Sequence, residues 1–518
     1  MRLYRAVFPE CAEQNHGLYF RAIGPATVCD DSLAMQTGTT VRFDTYFNGF
    51  FYTKYLKYTQ AKTLTVKIRC SGKLEAKLAC ITPDLIETVI ETIQLSGREV
   101  IEEFGPVMLQ DLPPDGMLFC AFVAREASII SEISYETEIS RPNQVYIAGV
   151  ICTYRREAYV KRNLRRIDAQ IWQNIDSPAA QSLDVLVVDN GRTLPPGDRG
   201  HVAILPNKNC GGSGGFARGM LEALHSEKRY THVLLMDDDI SFEPSVLERT
   251  VQLLKAAKPM KNPLCIGGQM LVESDPTSQY ESGSRYAGGR LYPVNRGLDL
   301  SDLESLLQNG RESPVDYNAW WYCCIPLELV REKGLPLPLF IKTDDVEYGL
   351  RSGAEFLLMN GIGVWHKAFA EKQAAHLEYY IKRTELVVSA LRQRGDGVLC
   401  SIHKLFCSLG GCILRGQTDQ IGYIEWGYRD FLKGPGFLLE ADAEKLNRSL
   451  IDKKAEKPPA TITAFLGSAA IVLVMFFRFL VRYRAVQKDL MNSQDELTSE
   501  RFWRKQLELE GGKELYLR

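Results

Sequence analysis

Three consecutive acidic residues end an apolar run near the middle of the chain. In the segment THVLLMDDDISFEP, Asp237, Asp238 and Asp239 directly follow the apolar residues 233–236. If this run is a strand, the first and third carboxylates point to one side and Asp238 points to the other. Carboxylate oxygens are preferred ligands of Mg²⁺ and Mn²⁺, which usually also hold substrate phosphates. We therefore expect Asp237 and Asp239 to share a divalent metal ion, with acidic capping of a helix or loop as the alternative.

A second acidic group lies in IKTDDVEYGLRS, at residues 341–352. Asp344 and Asp345 begin a predicted helix there. A carboxylate in such a place can act as a general base that takes a proton from a substrate hydroxyl. Because adjacent side chains point in different directions, only one of the two is expected to face a reacting centre. Acidic residues also stabilise helix N-termini without any catalytic role, and the residues alone leave both explanations open.

Three other segments contain residues suited to ligand binding. Trp320 and Trp321 offer aromatic faces that pack on sugar rings, although core packing explains many such pairs. His366 follows an apolar run, and a single histidine of this kind is more often structural than a metal ligand. The Gly-rich segment NCGGSGGFARG (209–219) lets the backbone approach a bound anion closely. It lacks the spacing of a Walker A loop or a dinucleotide-binding fingerprint, so we predict neither an ATPase nor a dehydrogenase.

Alternating strands and helices position these segments. Continuous apolar runs occur in VYIAGVICTY, SLDVLVVDNG and THVLLMDDD, with predicted helices between them. This alternation is typical of a parallel sheet with helices on both faces, which binds ligands at the carboxyl ends of its strands. The three acids lie at one such end. We predict that residues 143–395 form this α/β domain.

The first 142 residues are predicted to form a β-sandwich of jelly-roll type. The segment TLTVKIRCSGKLEAKLACI (63–81) alternates apolar and polar residues on either side of Ser-Gly, which indicates a hairpin with its turn at that dipeptide. Further alternating segments, MLFCAFVARE and ASIISEISYETEI, follow it. We expect this domain to serve binding or assembly, or to be a packing module without a ligand.

Residues 396–518 are predicted to be mainly helical, with an apolar segment at 460–477. The segment has eighteen residues without a charge, which is near the minimum for spanning a bilayer. Basic residues flank it on both sides: Lys453, Lys454 and Lys457 before it, and Arg478, Arg482 and Arg484 after it. A simple span shows asymmetry in these charges, so we expect a helix on the membrane surface or shallowly inserted in it. A true span and a buried packing helix are the alternatives.

Composition excludes several classes of protein. The chain has 518 residues, a formal net charge of −2 and 45% hydrophobic residues, which suits several globular domains. It lacks the basic bias of nucleic-acid-binding proteins. Its 13 cysteines include no pair spaced for structural zinc, and its start, MRLYRAVFPE, has no apolar signal segment. We expect reduced thiols and a cytoplasmic location.

Taken in order, ICTYRRE, VVDNG, NCGGSGGFARG, MDDD, WW, TDDVEYG and VWH resemble the motifs of inverting family 2 glycosyltransferases with the GT-A fold. The combination is most similar to bacterial galactofuranosyltransferases, which build cell-wall galactan from UDP-galactofuranose. FDTYFNGFFYTKYLKYT (43–59) resembles the β-sandwich that precedes the catalytic domain in that group. The resemblance covers most of the chain. It departs at Thr343, where galactan polymerases have Trp, and at Cys210, where an apolar residue is usual.

The resemblance implies a role for each matched residue. Asp237, Asp239 and His366 are implied to bind Mn²⁺ or Mg²⁺, and Asp345 is implied to be the general base. The residues implied to bind the donor are Thr153, Arg155, Asn190, Asn209, Asp237 and Asp238. The residues implied to line the sugar or acceptor site are Glu281, Trp320, Trp321 and Asp344.

These matches predict transfer of galactofuranose from UDP-galactofuranose to a hydroxyl of a lipid-linked glycan, with inversion in one displacement. The metal stabilises the charge on departing UDP. We expect a homo-oligomer at the cytoplasmic face of the membrane, with no nucleic-acid partner. One alternative is a rhamnosyl- or other hexosyltransferase of the same fold. Another is a glycan-binding scaffold, against which the complete set of metal and base residues argues.

Overall fold

The computed structural model describes residues 1–9, 16–29, 31–368, 374–392, 397–452 and 461–509, with the backbone alone at 461–464. The described chain is mixed α/β. It has an antiparallel N-terminal sheet, a central mixed sheet with helices, and a helical C-terminal region.

The N-terminal residues form one continuous antiparallel network. Its elements are β1 (Arg2–Arg5), β2 (Arg21–Ile23), β3 (Ala26–Cys29), β4 (Ser32–Met35), β5 (Thr40–Arg42), α1 (Tyr52–Tyr58), β6 (Thr63–Ile81), β7 (Glu87–Met108), β8 (Met117–Ala124) and β9 (Ser128–Glu136). The strand order is β2-β5-β8-β6-β9-β4-β3, with β1 on β9 and β7 on β6. Strand β6 pairs with β7 on one edge and with β9 and then β8 on the other, so it joins the two halves of the network.

The hairpin predicted within residues 63–81 is wrong. Strand β6 runs straight through Ser71 and Gly72, where the pairing with β7 shifts register. Gly72 has a φ of +104°, and a Cβ there would lie 2.4 Å from Oγ of Ser128. A β-bulge that needs glycine therefore accounts for the Ser-Gly pair that resembled a turn.

The central sheet carries the strand ends of interest. Its strands are β10 (Ile147–Thr153), β11 (Leu183–Asp189), β12 (Gly197–Arg199), β13 (Val202–Pro206), β14 (His232–Asp237), β15 (Ser241–Phe242), β16 (Leu264–Val272), β17 (Asp275–Glu281), β20 (Tyr322–Pro326) and β21 (Glu355–His366). The order is β12-β13-β11-β10-β14-β20-β16-β21-β15, with β17 on β16. Strands β18 (Ser284–Ala287) and β19 (Arg290–Pro293) form a separate hairpin.

The central sheet is mixed, whereas the sequence predicted a parallel one. Strands β13, β11, β10 and β14 are parallel, but β20 is antiparallel to β14. The chain enters β20 directly from Trp320 and Trp321, which lie at the carboxyl edge of β14. Without a crossover helix to return the chain, β20 runs in the opposite direction.

Helices cover the central sheet and extend beyond it. Those of the central region are α2 (Glu157–Ile167), α3 (Gly211–His225), α4 (Ser245–Ala256), α5 (Leu303–Gly310), α6 (Leu327–Lys333) and α7 (Asp344–Ser352). Those that follow are α8 (Leu377–Arg392), α9 (Val398–Leu414), α10 (Ile421–Phe431), α11 (Pro435–Glu440), α12 (Ala443–Asp452), α13 (Thr461–Leu497) and α14 (Glu500–Gln506). Helix α3 packs directly on β10, because a Cβ at Gly215 would lie only 2.1 Å from Sγ of Cys152.

The N-terminal network and the central sheet share one core. The guanidinium of Arg249, on α4, lies 3.8 Å from the ring centroid of Tyr4 and donates a 2.7 Å hydrogen bond to the carbonyl of Phe47. The ring of Phe47 also contacts Trp365 of β21, with centroids 5.8 Å apart. The boundary predicted at residue 142 therefore separates two sets of strands that are packed together.

Helix α13 extends well past the predicted apolar segment. It has 37 residues, and within it 465–497 is long and apolar enough to cross a membrane, with 17% of its most apolar window buried. Its exposed apolar side chains include Leu473, Phe477 and Val481. Arg478, Arg482 and Arg484 lie on the same helix, whereas the predicted flanking residues Lys453, Lys454 and Lys457 fall outside the described residues.

Candidate functional site

The site is built at the carboxyl ends of adjacent parallel strands. Residue Thr153 pairs in register with Asp189 of β11, and Cys152 pairs with Asp237 of β14. Because the strands are parallel, these polar ends meet at one edge of the sheet, where open α/β sheets bind ligands. Strand β14 ends at Asp237, and the other two acids lie in the turn after it.

Asp237, Asp239 and His366 converge from two strands to form a candidate metal site. Each offers a ligand atom, and the three atoms all lie within 4.8 Å of one another. Nε2 of His366 lies 3.2 Å from Oδ1 of Asp239 and 3.7 Å from Oδ2 of Asp237. His366 ends β21, which brings a residue from far along the chain to the acids.

The surroundings of His366 fit a bound cation. Its Nδ1 lies 2.8 Å from the carbonyl oxygen of Lys367, so the proton on Nδ1 is donated to that carbonyl. In a neutral ring the lone pair of Nε2 then faces the carboxylates of Asp237 and Asp239, which repels it unless a proton or a metal ion lies between them. Two carboxylates and an imidazole held by a backbone carbonyl are a donor set suited to a divalent metal.

Asp238 is not grouped with the candidate metal ligands and has its own hydrogen-bond partners. It accepts a 2.7 Å hydrogen bond from Oγ1 of Thr153 and a 2.9 Å bond from Nη1 of Arg156. The same Nη1 lies 2.9 Å from Oδ2 of Asp239. Arg156 therefore offsets the repulsion between two neighbouring carboxylates.

The structure brings Arg156, and not the predicted Arg155, to the site. Arg155 is exposed, has a φ of +56° and lies over the ring of Tyr154 at 5.2 Å. The left-handed backbone there turns the chain before α2, so the next side chain faces the acids. The sequence contains both arginines, but alternation alone does not show which one faces the strand ends.

Asn190 and Asn209 form hydrogen bonds to the backbone of the Gly-rich segment. Nδ2 of Asn190 donates a 3.0 Å bond to the carbonyl of Gly211, and Oδ1 of Asn209 accepts a 3.1 Å bond from its N–H. Gly211 has a φ of +71°, and a Cβ there would lie 2.1 Å from the carbonyl oxygen of Phe340. Both asparagines are thus placed to shape the turn, and their direct contact with a donor stays a prediction.

The second acidic pair lies across the cavity from the metal ligands. Oγ of Ser213, in the first turn of α3, donates a 2.9 Å bond to Oδ2 of Asp344. Oδ1 of Asp345, the second residue of α7, accepts a 2.8 Å bond from the N–H of Val346. Burial raises the pKa of both carboxyls, and the proximity of Asp344 raises the pKa of Asp345 further. A raised pKa suits a carboxylate that must take up a proton near neutral pH.

The chain enters α7 through strained backbone. Phe340, Lys342 and Thr343 have φ angles of +76°, +70° and +63°. A left-handed conformation is uncommon for such residues and persists only where the surroundings impose it. The carbonyl of Phe340 accepts a 3.3 Å bond from the N–H of Ser213, which ties this segment to the Gly-rich turn.

One cavity of about 660 Å³ joins the metal ligands to the acidic pair. Its lining includes the predicted residues Asp237, Asp238, Asp239, Glu281, Trp320, Trp321, Asp344, Asp345 and His366. Thr153, Arg155, Asn190 and Asn209 are not part of this lining. Nε1 of Trp321 donates a 2.8 Å bond to the carbonyl of Gly268, whereas Trp320 packs edge-on against Phe216 and Tyr348. Both tryptophans therefore belong to the cavity wall and to the core behind it.

Glu281 is a buried acid with unused bonding capacity. Its Oε2 accepts a 3.2 Å bond from Oγ of Ser284, while its buried Oε1 has no hydrogen-bond partner among the described residues. Burial raises its pKa to about 7. A carboxyl of this kind, at the wall of a polar cavity, is suited to bind a sugar hydroxyl.

The sequence did not identify several residues of the cavity. Arg156, Ser213, Tyr280, Arg296, Tyr317 and Lys342 lie in it or hydrogen-bond to its acids. The ring of Tyr280 lies 4.7 Å beneath the guanidinium of Arg296. Tyr280 and Lys342 are next to or near predicted residues in the sequence, so proximity was an available signal. Arg296 had no such signal in the sequence, because it reaches the cavity through the loop after β19.

Comparison with known proteins places the chain near one kind of enzyme. It is 28% identical to galactofuranosyltransferase GlfT2 of Mycolicibacterium smegmatis over 444 residues, covering 78% of this chain and 66% of the relative. It is 28% identical to galactofuranosyltransferase GlfT2 of Mycobacterium tuberculosis over 447 residues, covering 78% of this chain and 67% of the relative. The match spans about two thirds of the length of these relatives. The resemblance to galactofuranosyltransferases predicted from the motifs is thereby confirmed.

Other comparisons add no argument. No protein-family model matches the chain. The xylanase 10B CBM22-1–GH10 modules of Clostridium thermocellum, complexed with xylohexaose, give a TM-score of 0.19 at 6% identity and cover 37% of this chain and 39% of that chain. CsCBM6-3 of Clostridium stercorarium, in complex with cellobiose, gives 0.16 at 11% identity over 26% of this chain and 95% of that chain.

Proposed function

We propose that this chain is an inverting galactofuranosyltransferase that moves galactofuranose from UDP-galactofuranose to a hydroxyl of a glycan in cell-wall or surface polysaccharide synthesis. The observation that carries the proposal is the single cavity that joins Asp237, Asp239 and His366 to Asp345. The similarity to the GlfT2 enzymes supports the choice of sugar. We also propose that the central sheet and its helices have the GT-A fold.

The strand-end side of the cavity would bind the donor. Asp237, Asp239 and His366 would hold Mn²⁺ or Mg²⁺, which when bound neutralises the diphosphate and stabilises charge on the leaving UDP. Arg156 holds Asp238 and Asp239 in place at 2.9 Å. Thr153 fixes Asp238 from the neighbouring strand, and Arg156 links Asp238 to the ligand Asp239, so this ligand needs little rearrangement when the donor arrives.

The opposite side would bind the acceptor and remove its proton. Asp345 would take the proton from the acceptor hydroxyl as the hydroxyl oxygen attacks the anomeric carbon from the face opposite UDP. One bond forms as the bond to UDP breaks, so the configuration inverts and the protein forms no covalent intermediate. Glu281 and the tryptophan faces would orient the acceptor sugar, since a carboxylate and aromatic rings bind its hydroxyls and its apolar face.

The long helix α13 supports a membrane-associated location. Its apolar side chains are largely exposed along 465–497, and Arg478, Arg482 and Arg484 lie among them. Such a surface would bind a bilayer through apolar contact and attraction to acidic headgroups. We propose that it holds the enzyme beside a lipid-linked acceptor at the cytoplasmic face, and homo-oligomer formation stays a prediction.

A donor panel tests the proposed function. Purified protein with Mn²⁺ would be given UDP-galactofuranose, UDP-galactopyranose, UDP-glucose and dTDP-rhamnose, with and without a synthetic galactofuranosyl acceptor. We expect nucleotide release that depends on the acceptor and occurs with UDP-galactofuranose alone. Release from dTDP-rhamnose or another donor instead would keep the mechanism and replace the sugar. No release from any donor would contradict the proposal in favour of a glycan-binding scaffold.

A further inference from the structure

An irregular segment, residues 335–343, precedes helix α7 and leads directly to the proposed general base. It contains the left-handed residues Phe340, Lys342 and Thr343, and residues 335–337, 339 and 340 are buried. A buried carbonyl outside a helix or sheet needs a hydrogen-bond donor from another part of the chain, because water does not reach it. The placement of Asp345 therefore depends on the groups that donate to this segment.

Four carbonyls of this segment accept hydrogen bonds from four different helices: α3, α7, α8 and α14. The bonds run from the N–H of Ser213 to Phe340 at 3.3 Å, from Nη2 of Arg351 to Leu335 at 2.9 Å, from Nη2 of Arg383 to Leu339 at 2.8 Å, and from Nε1 of Trp503 to Pro336 at 2.8 Å. Several donors that converge in this way keep strained backbone in one conformation. Of the four helices, α14 alone, which the structure describes in full, contributes no residue to the lining of the 660 Å³ cavity.

The side chain of Trp503 joins this segment to the Gly-rich segment. It is 1% exposed, and a Cβ added at Gly214 would lie 3.3 Å from its Cζ3 atom. A cavity of only about 30 Å³ remains beside the ring, where Cys210 and Phe340 also line it. The ring is therefore packed closely behind both segments, on the side away from the catalytic cavity.

Helix α14 is itself fixed at both ends. Before the helix, the carbonyl of Thr498 accepts a 2.8 Å bond from the N–H of Leu335. At its last residue, Nε2 of Gln506 donates a 2.9 Å bond to the carbonyl of Leu439, and the carbonyl of Gln506 accepts a 3.9 Å contact from Sγ of Cys210. Because both ends are held, α14 presents the N–H of its tryptophan from a fixed position.

We propose that Trp503 is a positioning residue for the transfer reaction, because its bond to the carbonyl of Pro336 keeps residues 335–343 in the conformation that places Asp345 in the cavity. The proposal rests on the proposed function, in which Asp345 is the base. Trp503 acts only through the backbone that precedes α7. A reacting group misplaced by about 1 Å can lower the rate about 100-fold, so the loss of one bond behind the cavity is sufficient to lower turnover.

The test removes the N–H and keeps an aromatic ring. In Trp503→Phe we expect kcat per folded enzyme to fall about tenfold, the factor for one hydrogen bond lost by a buried carbonyl. The KM for the donor, and the affinity for UDP with Mn²⁺ in calorimetry, should stay near those of the wild type. Replacement of Trp503 by 3-benzothienylalanine, which has sulfur in place of the N–H, keeps the ring shape and should lower kcat equally. This second variant decides the test if the Phe variant does not fold.

A matched control removes the same kind of bond elsewhere. Nε1 of Trp172 donates a 3.0 Å bond to the carbonyl of Leu183, the first residue of β11, at the end of the sheet opposite to the acids. We expect Trp172→Phe to lower the thermal unfolding midpoint, as Trp503→Phe does, and to leave kcat per folded enzyme unchanged. Equal losses of kcat in the two variants would contradict a positioning role.

A double-mutant cycle tests whether Trp503 acts through the base. In the Asp345→Asn background, Trp503→Phe should lower kcat no further, because the group that it positions is absent. A further loss of the same size as in the wild-type background would overturn the proposal. Unchanged kcat in both Trp503 variants would overturn it as well.

Amide hydrogen exchange tests the same contact without catalysis. We expect residues 337–347 to exchange faster in Trp503→Phe than in the wild type, and at the wild-type rate in Trp172→Phe. Absence of transfer by the wild type would contradict the proposed function, whereas unchanged exchange in Trp503→Phe would contradict the positioning role. The two failures are therefore distinguishable.

Discussion

The proposed donor side and the proposed acceptor side of the 660 Å³ cavity are built from different kinds of structure. The proposed donor side uses the ends of adjacent strands, where Asp238 accepts bonds from Thr153 and Arg156 at 2.7 and 2.9 Å. The proposed acceptor side combines strand β19, residues 341–343 and helix α8, and it includes the left-handed residues Lys342 and Thr343. The sheet fixes the first set of side chains, whereas the second depends on the packing of separate segments.

This difference suggests a division between chemistry and selectivity. Residues at strand ends are held by the ladder on both sides, so a donor and its metal meet a preformed arrangement. Loop and helix segments tolerate change more readily, so the acceptor site can alter without disturbing the metal ligands. We expect substitutions on the proposed donor side to affect every acceptor equally, and those in strand β19 and helix α8 to affect acceptors selectively.

The largest effect is expected at the proposed general base. The Asp345→Asn substitution removes the proton acceptor and should lower kcat by about 10²- to 10⁴-fold. Because Asp345 is placed on the acceptor side, affinity for UDP with Mn²⁺ should remain near that of the wild type, as measured by calorimetry. A variant with normal kcat would remove Asp345 from the role of base.

Loss of a metal ligand should act on the donor side alone. The His366→Ala substitution is expected to weaken Mn²⁺ binding by at least about 100-fold, more than the loss of a residue that only supports a ligand. Electron paramagnetic resonance of free Mn²⁺ gives the affinity directly. His225→Gln is the matched control, because that ring pairs with Glu500 on the surface, away from the cavity. Equal Mn²⁺ affinity in both variants would contradict the proposed site.

Two adjacent arginines provide a sharper test of the donor side. The Arg156→Ala substitution removes the cation between Asp238 and Asp239 and should lower kcat/KM by about 10- to 100-fold, as expected for bonds to charged groups. Arg155→Ala should change it little, because that side chain is exposed and lies over Tyr154. A larger loss of kcat/KM in Arg155→Ala than in Arg156→Ala would contradict this placement and would support Arg155, the residue that the resemblance implies.

The sequence was informative where function depends on contiguous motifs. The three acids after an apolar run predicted that Asp237 and Asp239 come together at a strand end, and the structure groups both with His366. The acids of α7 lie at a helix start, as predicted. It failed at Ser71–Gly72, where a bulge and a turn require the same small residues. It did not indicate Arg156, because the left-handed backbone at Arg155 that turns Arg156 towards the acids has no signature in the residue pattern. Donor binding by Arg155 stays a prediction.

The second cavity, which is lined by Arg290, Lys382 and Lys404, was not predictable from the sequence. Arg290, Lys382 and Lys404 are separated by many residues, and each resembles an ordinary surface charge. Only the packing of α8 and α9 against the hairpin places them on one cavity, which no local pattern encodes. Motif-based prediction therefore finds residues that are contiguous in the sequence more readily than cavities that distant residues form.

The smallest effect is expected on the free energy of unfolding, when a glycine is replaced by alanine in either of two helices, α3 or α9. A Cβ at Gly215 would lie 2.1 Å from Sγ of Cys152, so Gly215→Ala should lower the free energy of unfolding by about 1–3 kcal/mol through overpacking. A Cβ at Gly410, within α9, would meet nothing within 4 Å. Gly410→Ala should therefore stabilise the helix by about 0.5–1 kcal/mol.

Thermal unfolding midpoints that move in opposite directions would support the contrast. Adding Cys152→Ala to Gly215→Ala should recover part of the loss, since it removes the sulfur that the new methyl group meets. If Gly215→Ala were as stable as the wild type, the donor side would be less tightly packed than its hydrogen bonds indicate.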